Sequence, residues 1–140
     1  MSTAVAERSW CVVVPHDPRG ARLARHRLAS ELGPAVPAQL LADAVAVLAE
    51  LVGNAIRHAR PLPGDVIRVA WRLRRGVDGD VVSLRVTDGG DPGQVPTLRA
   101  IALEAVDGRG LHIVDALATR WGVECDGLGQ SVWADLSVSS

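Results

Sequence analysis

A chain of 140 residues with 48% apolar and 22% charged side chains has the length and composition of one folded globular domain. A net charge of −1 provides no global basic field to draw it to nucleic acid or to a membrane surface, so neither is an expected partner. All 15 basic residues are Arg, and without Lys neither the P-loop nor the strand-Lys chemistry of eukaryotic-type protein kinases is available.

Cys11 and Cys125 are far apart and belong to no metal-ligand spacing, so both are expected as buried small hydrophobes. The first ten residues lack the features of a secretion signal, and no apolar stretch approaches the roughly 18 residues needed to span a bilayer. A cytoplasmic single domain over 1–140 is expected, with about nine N-terminal and about four C-terminal residues as flexible tails. Arg22, Arg25 and Arg27 cluster early, and Arg68, Arg72, Arg74 and Arg75 cluster mid-chain. Such runs are ordinarily solvated faces; the first is also a candidate partner surface.

In chain order, Trp10 to Val14 reads as a strand closed by Pro15, and Pro18 to Leu32 as a helix ended by Gly33 and Pro34. A long helix follows from about Pro37 to Ala59, with Leu41, Val45, Leu48, Val52 and Ile56 at helical spacing on one face. Val66 to Leu73 and Val81 to Val86 alternate as a hairpin around Gly76, Asp78 and Gly79. Asp88 to Asp107 is loop-like, with a helical turn expected near Thr97 to Ala105. A short helix spans about Leu111 to Thr119, and Trp121 to Cys125 and Ser131 to Val138 form a last hairpin around Gly127 and Gly129. Strands joined mainly by hairpins predict an α+β two-layer sandwich: a mixed, mostly antiparallel sheet with helices on one face.

Three segments have candidate chemistry. In E-L-V-G-N-A-I-R-H-A, Glu50, Asn54 and Arg57 share a helix face with Asp43, which is either a solvated face or a place where a carboxylate and an amide oxygen one turn apart meet a metal ion. Asn54 and Gly53 are both poor helix formers, which points to something lying close against that face. In V-T-D-G-G, Asp88 ends a strand before Gly89 and Gly90; this is a turn signal in its own right, or a carboxylate accepting from the exocyclic amine of adenine. Guanine carries a carbonyl at that ring position and would be repelled. In G-R-G-L-H-I-V, Gly108 and Gly110 lead into a helix whose first N–H groups suit phosphate, and Arg109 suits a charge-assisted contact to phosphate or a partner.

The order of these segments resembles the N, G1 and G2 boxes of the Bergerat ATP-binding fold, shared by gyrase, mismatch-repair proteins, large heat-shock chaperones and sensor histidine kinases. The compact length and the ending W-G-V-E…G-Q-S-V-W-A-D-L are most similar to the stand-alone anti-sigma-factor serine/threonine kinase branch. The resemblance implies ATP and Mg²⁺ as cofactors. It implies that Glu50 is the general base and that Asn54 is the Mg²⁺ ligand. Asp88 would bind adenine with Gly90 allowing its approach, and Gly108, Arg109, Gly110 and the helix start at Leu111 would hold phosphates. Ser131 would back the adenine site, and 91–107 would form a lid over the nucleotide. It further implies a homodimer that phosphorylates an anti-anti-sigma protein and sequesters a sigma factor. His58 and Arg57 stand as phosphate or partner contacts, His58 equally as a partly buried structural residue. Asp91-Pro92-Gly93 departs from a clean G1 box, which touches the lid hinge more than the adenine contact. A sensor domain, an H-box helix pair and a transducer domain are expected to be absent. Two alternatives stay open: a non-catalytic ATP-binding interaction module, and a detached ATP-binding domain of a split histidine kinase.

Overall fold

The computed structural model describes residues 6–90, 110–125 and 129–137. Strand β1 (Ala6–Pro15) leads to helix α1 (Pro18–Leu32), a 3₁₀ turn (Gly33–Ala35) and the long helix α2 (Ala38–His58). Strands β2 (Val66–Gly76) and β3 (Gly79–Asp88) form the first hairpin, and helix α3 (Gly110–Leu117) precedes β4 (Arg120–Cys125) and β5 (Gln130–Ser137). The expected lid at 91–107 and the helical turn within it lie outside the described residues.

The five strands run in the order β1-β2-β3-β5-β4, and every pairing is antiparallel. The expected mixed sheet is therefore antiparallel throughout its described strands. β1 starts earlier than Trp10 because Glu7, Arg8 and Ser9 keep their ladder partners on β2, opposite Arg74, Leu73 and Arg72. An edge strand is extended by its neighbour's hydrogen bonds, which leave no apolar signature in the sequence.

Side-chain alternation decides the layers. Ile67, Val69, Trp71 and Leu73 on β2 and Val82, Leu84 and Val86 on β3 are buried, while Arg68, Arg72 and Arg74 between them are exposed. The mid-chain Arg cluster is thus the open face of the sheet, except that Arg75 reaches back to the Ala35 carbonyl. α1 is capped by Asp17, whose carboxylate accepts from the N–H of Arg19 at 2.8 Å and of Gly20 at 3.3 Å. Ala24, Leu28 and Leu32 face inward, and Arg22, Arg25 and Arg27 face solvent.

The stripe that α2 buries is broader than the predicted one and rotated from it. Leu40, Ala44, Val47, Leu48, Leu51, Val52 and Ala55 are buried, with Leu41, Val45 and Ile56 half-buried at its edge. The cause is that α2 meets α1, α3 and the sheet together, so no single stripe describes its inner surface. By length and composition α2 is also apolar enough to cross a bilayer, contrary to the reading that no segment is; here that apolar surface is the core of the domain. Both cysteines are exposed, not buried: Cys11 lies opposite Ala70 on the open pleat of an edge strand, and Cys125 ends the other edge strand.

Candidate functional site

Asp88 is the last residue of β3 and is only 2% exposed. Its Oδ1 accepts from the Gly90 N–H at 2.7 Å. Burial pushes the carboxyl up to about 6, against the weaker opposing pulls of the Gly90 N–H and of nearby His16. A buried carboxylate is costly to a fold, and such groups concentrate at sites that bind ligands.

The backbone around Asp88 is built to hold it. Gly90 has φ +74°, a left-handed conformation that a side chain disfavours. A Cβ on Gly89 would stand 2.3 Å from the Pro61 carbonyl oxygen, and one on Gly129 would stand 2.2 Å from that of Asp88. The tight approach that requires Gly89 is therefore to the protein's own backbone, whereas a Cβ at Gly90 would meet Gln130 Cβ at an ordinary 3.8 Å. Gly89 donates to the Arg60 carbonyl at 2.7 Å and Arg60 donates to that of Gly90 at 3.1 Å, an isolated bridge between the end of α2 and the loop after β3.

That bridge ties Asp88 to α2. Asn54 lies five residues before the C-cap Ala59, about 8 Å along the axis, and Glu50 lies about one turn further back. Both are half-buried. Arg57 Nη2 donates to Asn54 Oδ1 at 3.1 Å, and a Cβ on Gly53 would stand 2.8 Å from the Arg57 guanidinium. What lies close against Gly53 is thus the Arg57 side chain, folded back over the helix. Asp43 is engaged by Gln39 and not by this group, and His58 is exposed.

Ser131 departs from expectation. The register sets it opposite Thr87 and sets Gln130 opposite Asp88, so the two-residue pleat puts Ser131 on the alternate face from Asp88. Its hydroxyl bonds Thr87 Oγ1 at 2.7 Å and makes no contact with the Asp88 carboxylate. Gly110 opens α3, which packs on α2 through Val114. Gly108 and Arg109 lie outside the described residues, as do the side-chain surroundings of Leu111.

Sequence reasoning missed His16. Its Nε2 is 2.9 Å from the carbonyl oxygens of both Ala55 and Ala59 in the last turn of α2. Nothing in the sequence marks this contact, because both partners are backbone atoms about forty residues away.

The arrangement gathers a buried acceptor for a base amine, a helix face with a carboxylate and an amide oxygen, and a helix N-terminus packed on that same helix. No curated protein matches the chain. The family model for the histidine kinase-like ATPase domain matches residues 14–135, a span that holds all three motifs and the described elements from α1 to β4, with the end of β1 and most of β5. The antiparallel sheet with helices on one face is the fold of that family, and its members bind ATP. The chain is a member of the histidine kinase-like ATPase domain family.

Proposed function

We propose that this protein is a Mg²⁺-dependent ATP-binding kinase of the anti-sigma type, transferring the γ-phosphoryl group to a serine of an anti-anti-sigma partner and holding a sigma factor. The observation that carries ATP recognition is Asp88: a carboxylate 2% exposed at the end of β3, with Oδ1 held by the Gly90 N–H. An acceptor held in that way suits the exocyclic amine of adenine and disfavours the carbonyl of guanine.

The residues fit a magnesium ion. Asn54 Oδ1 is a neutral oxygen donor one turn from the Glu50 carboxylate, and among the described residues no group of three or more His, Cys, Asp or Glu stands ready to hold a metal by itself. Mg²⁺ ordinarily takes one or two protein oxygens and completes its shell with phosphate oxygens and water. Bound there, the ion would neutralise charge on the phosphates. The chain's own residues would do the rest. Asp88 selects the base, the α3 N-terminus with Gly108, Arg109 and Gly110 holds phosphates, and Arg57 swings from Asn54 to phosphate. Glu50 takes the proton of the acceptor hydroxyl as the serine oxygen attacks the γ-phosphorus, whose bond to the β–γ bridging oxygen breaks to release ADP. Arg22 and Arg25, exposed on α1, form the surface offered to a partner, and the active form is a homodimer.

One observation favours the non-catalytic reading, in which ATP only shapes an interaction surface: the Asn54 oxygen is already engaged by Arg57. Incubation with γ-labelled ATP, Mg²⁺ and a candidate anti-anti-sigma protein separates the readings. Acid-stable phosphoserine, absent from Glu50→Gln, supports the kinase. An acid-labile product would mean histidine phosphorylation, and ATP binding without any transfer would leave the interaction module standing.

A further inference from the structure

The turn of α2 nearest Asp88 is held from outside the helix. His16 lies between the end of β1 and the N-cap of α1, and its backbone N–H donates to the Asp65 carbonyl at 2.9 Å. The loop that receives this bond is tightly wound, with Leu62 donating to Val66 at 2.8 Å, Asp65 donating to Leu62 at 3.1 Å, and Asp65 itself at φ 60°. From that anchored backbone the imidazole reaches the C-terminus of α2. Both atoms it meets there, Ala55 O and Ala59 O, are acceptors, so Nε2 carries the proton and donates to both. Ala55 O also accepts from the Ala59 N–H at 3.2 Å, so the imidazole N–H reinforces the bond that closes the last turn and complements the negative end of the helix dipole.

The next residue, Arg60, exchanges hydrogen bonds with Gly89 and Gly90, the loop that presents Asp88. A continuous set of bonds thus runs from Asp65 through His16 to the last turn of α2, and from there to the Asp88 loop.

We infer that His16 is a positioning residue for the nucleotide site: its Nε2–H pins the last turn of α2, and through the Arg60–Gly90 bridge it fixes the Asp88 carboxylate relative to the helix face of Glu50 and Asn54. The functional half of this inference rests on the reading of Asp88 and Asn54 as adenine and metal contacts; the structural half does not. His16 acts through other groups and touches no reacting atom.

The test compares His16→Leu, which keeps bulk and removes the donor, with His16→Gln, which restores an N–H. Hydrogen exchange in the nucleotide-free protein reads the clamp without reference to ATP. Amides of Ala59, Arg60, Gly89 and Gly90 should exchange at least tenfold faster in His16→Leu, with those of β2 and β3 unchanged and His16→Gln close to wild type. Calorimetry then reads its consequence. Affinity for ATP with Mg²⁺ should fall about tenfold in His16→Leu, while affinity for ADP in chelator stays within about twofold, because only the former needs both ends of the site in register. Unchanged exchange at Gly89 and Gly90 in His16→Leu would overturn the inference, as would equal loss of both nucleotides or failure of His16→Gln to rescue. Should wild type bind no nucleotide while the exchange pattern holds, the ATP reading fails and His16 remains the clamp of the Asp88 loop.

Discussion

The two ends of the site are made differently. At one end Asp88 is buried, one oxygen fixed by Gly90, inside a backbone so tight that Gly89 and Gly129 have no room for a side chain. At the other end Glu50 and Asn54 stand half-buried on a helix, and the contact made there is Arg57 folded onto Asn54. The first end holds a carboxylate in fixed, buried surroundings that resist its charge; the second is a half-exposed surface on which Arg57 covers Asn54. On the proposed reading, the contrast teaches that base selection would be built into the fold, whereas the chemistry would wait for ligands to assemble it.

The largest effect that would sharpen this contrast is on turnover. Glu50→Gln should lower phosphotransfer by about 10²–10⁴-fold with ATP affinity nearly unchanged, as expected for a general base that contributes little to ground-state binding. An equal loss in affinity would mean that the helix face is part of the preformed pocket and would break the comparison.

Asp88→Asn should act in opposite directions on binding and on stability. Losing the charged acceptor should weaken ATP about 30–100-fold, within the range for hydrogen bonds to charged groups. The free protein should become more stable by about 2 kcal/mol near pH 8, since a carboxyl raised to about 6 from 3.8 favours the protonated fold and opposes folding once ionised. Chemical denaturation of the free variant beside calorimetry of the same sample checks both signs.

The same group sets a pH dependence. Its folded pKa lies above its unfolded one, so its favourable share of the stability is fully present below about pH 3.8 and is lost as pH rises through about 6. ATP binding runs the other way, weakening about tenfold per unit below pH 6, because a protonated Oδ2 no longer accepts from the base. ATP's own terminal phosphate titrates nearby, so the part of the profile absent from Asp88→Asn is the part assigned to this carboxyl.

The smallest effect is at Asn54. Asn54→Ala should remove the Mg²⁺-dependent gain in ATP affinity, about tenfold, while leaving Mg²⁺-free binding alone. Thermal stability should rise slightly, by about 0.5 kcal/mol, since Ala is the better helix former. A loss of Mg²⁺-free binding would show that Asn54 belongs to the base pocket.

The legible parts of the molecule were those written in side-chain patterns. The β2–β3 hairpin follows from alternation between Ile67 and Leu73, and Asp88 stands out because a carboxylate followed by two glycines ends an apolar strand. What escaped depends on backbone atoms or on register. β1 extends to Ala6 through ladder bonds to β2, and His16 meets two carbonyls on a distant helix. Resemblance puts Ser131 behind the adenine site, yet pairing with Thr87 sends its hydroxyl to the other face of the sheet, a difference of one residue in register. Cys11 and Cys125 carry the same lesson, since burial of a small apolar residue depends on which pleat and which edge receives it.

The central claim, that the buried Asp88 carboxylate reads the base of ATP, is tested most directly by calorimetric titration of wild type and Asp88→Asn with ATP and with GTP in Mg²⁺. Wild type should bind ATP and not GTP, and the variant should lose both its affinity for ATP and its preference between the two. Wild-type protein that takes neither nucleotide, or a variant that keeps the preference intact, would contradict it.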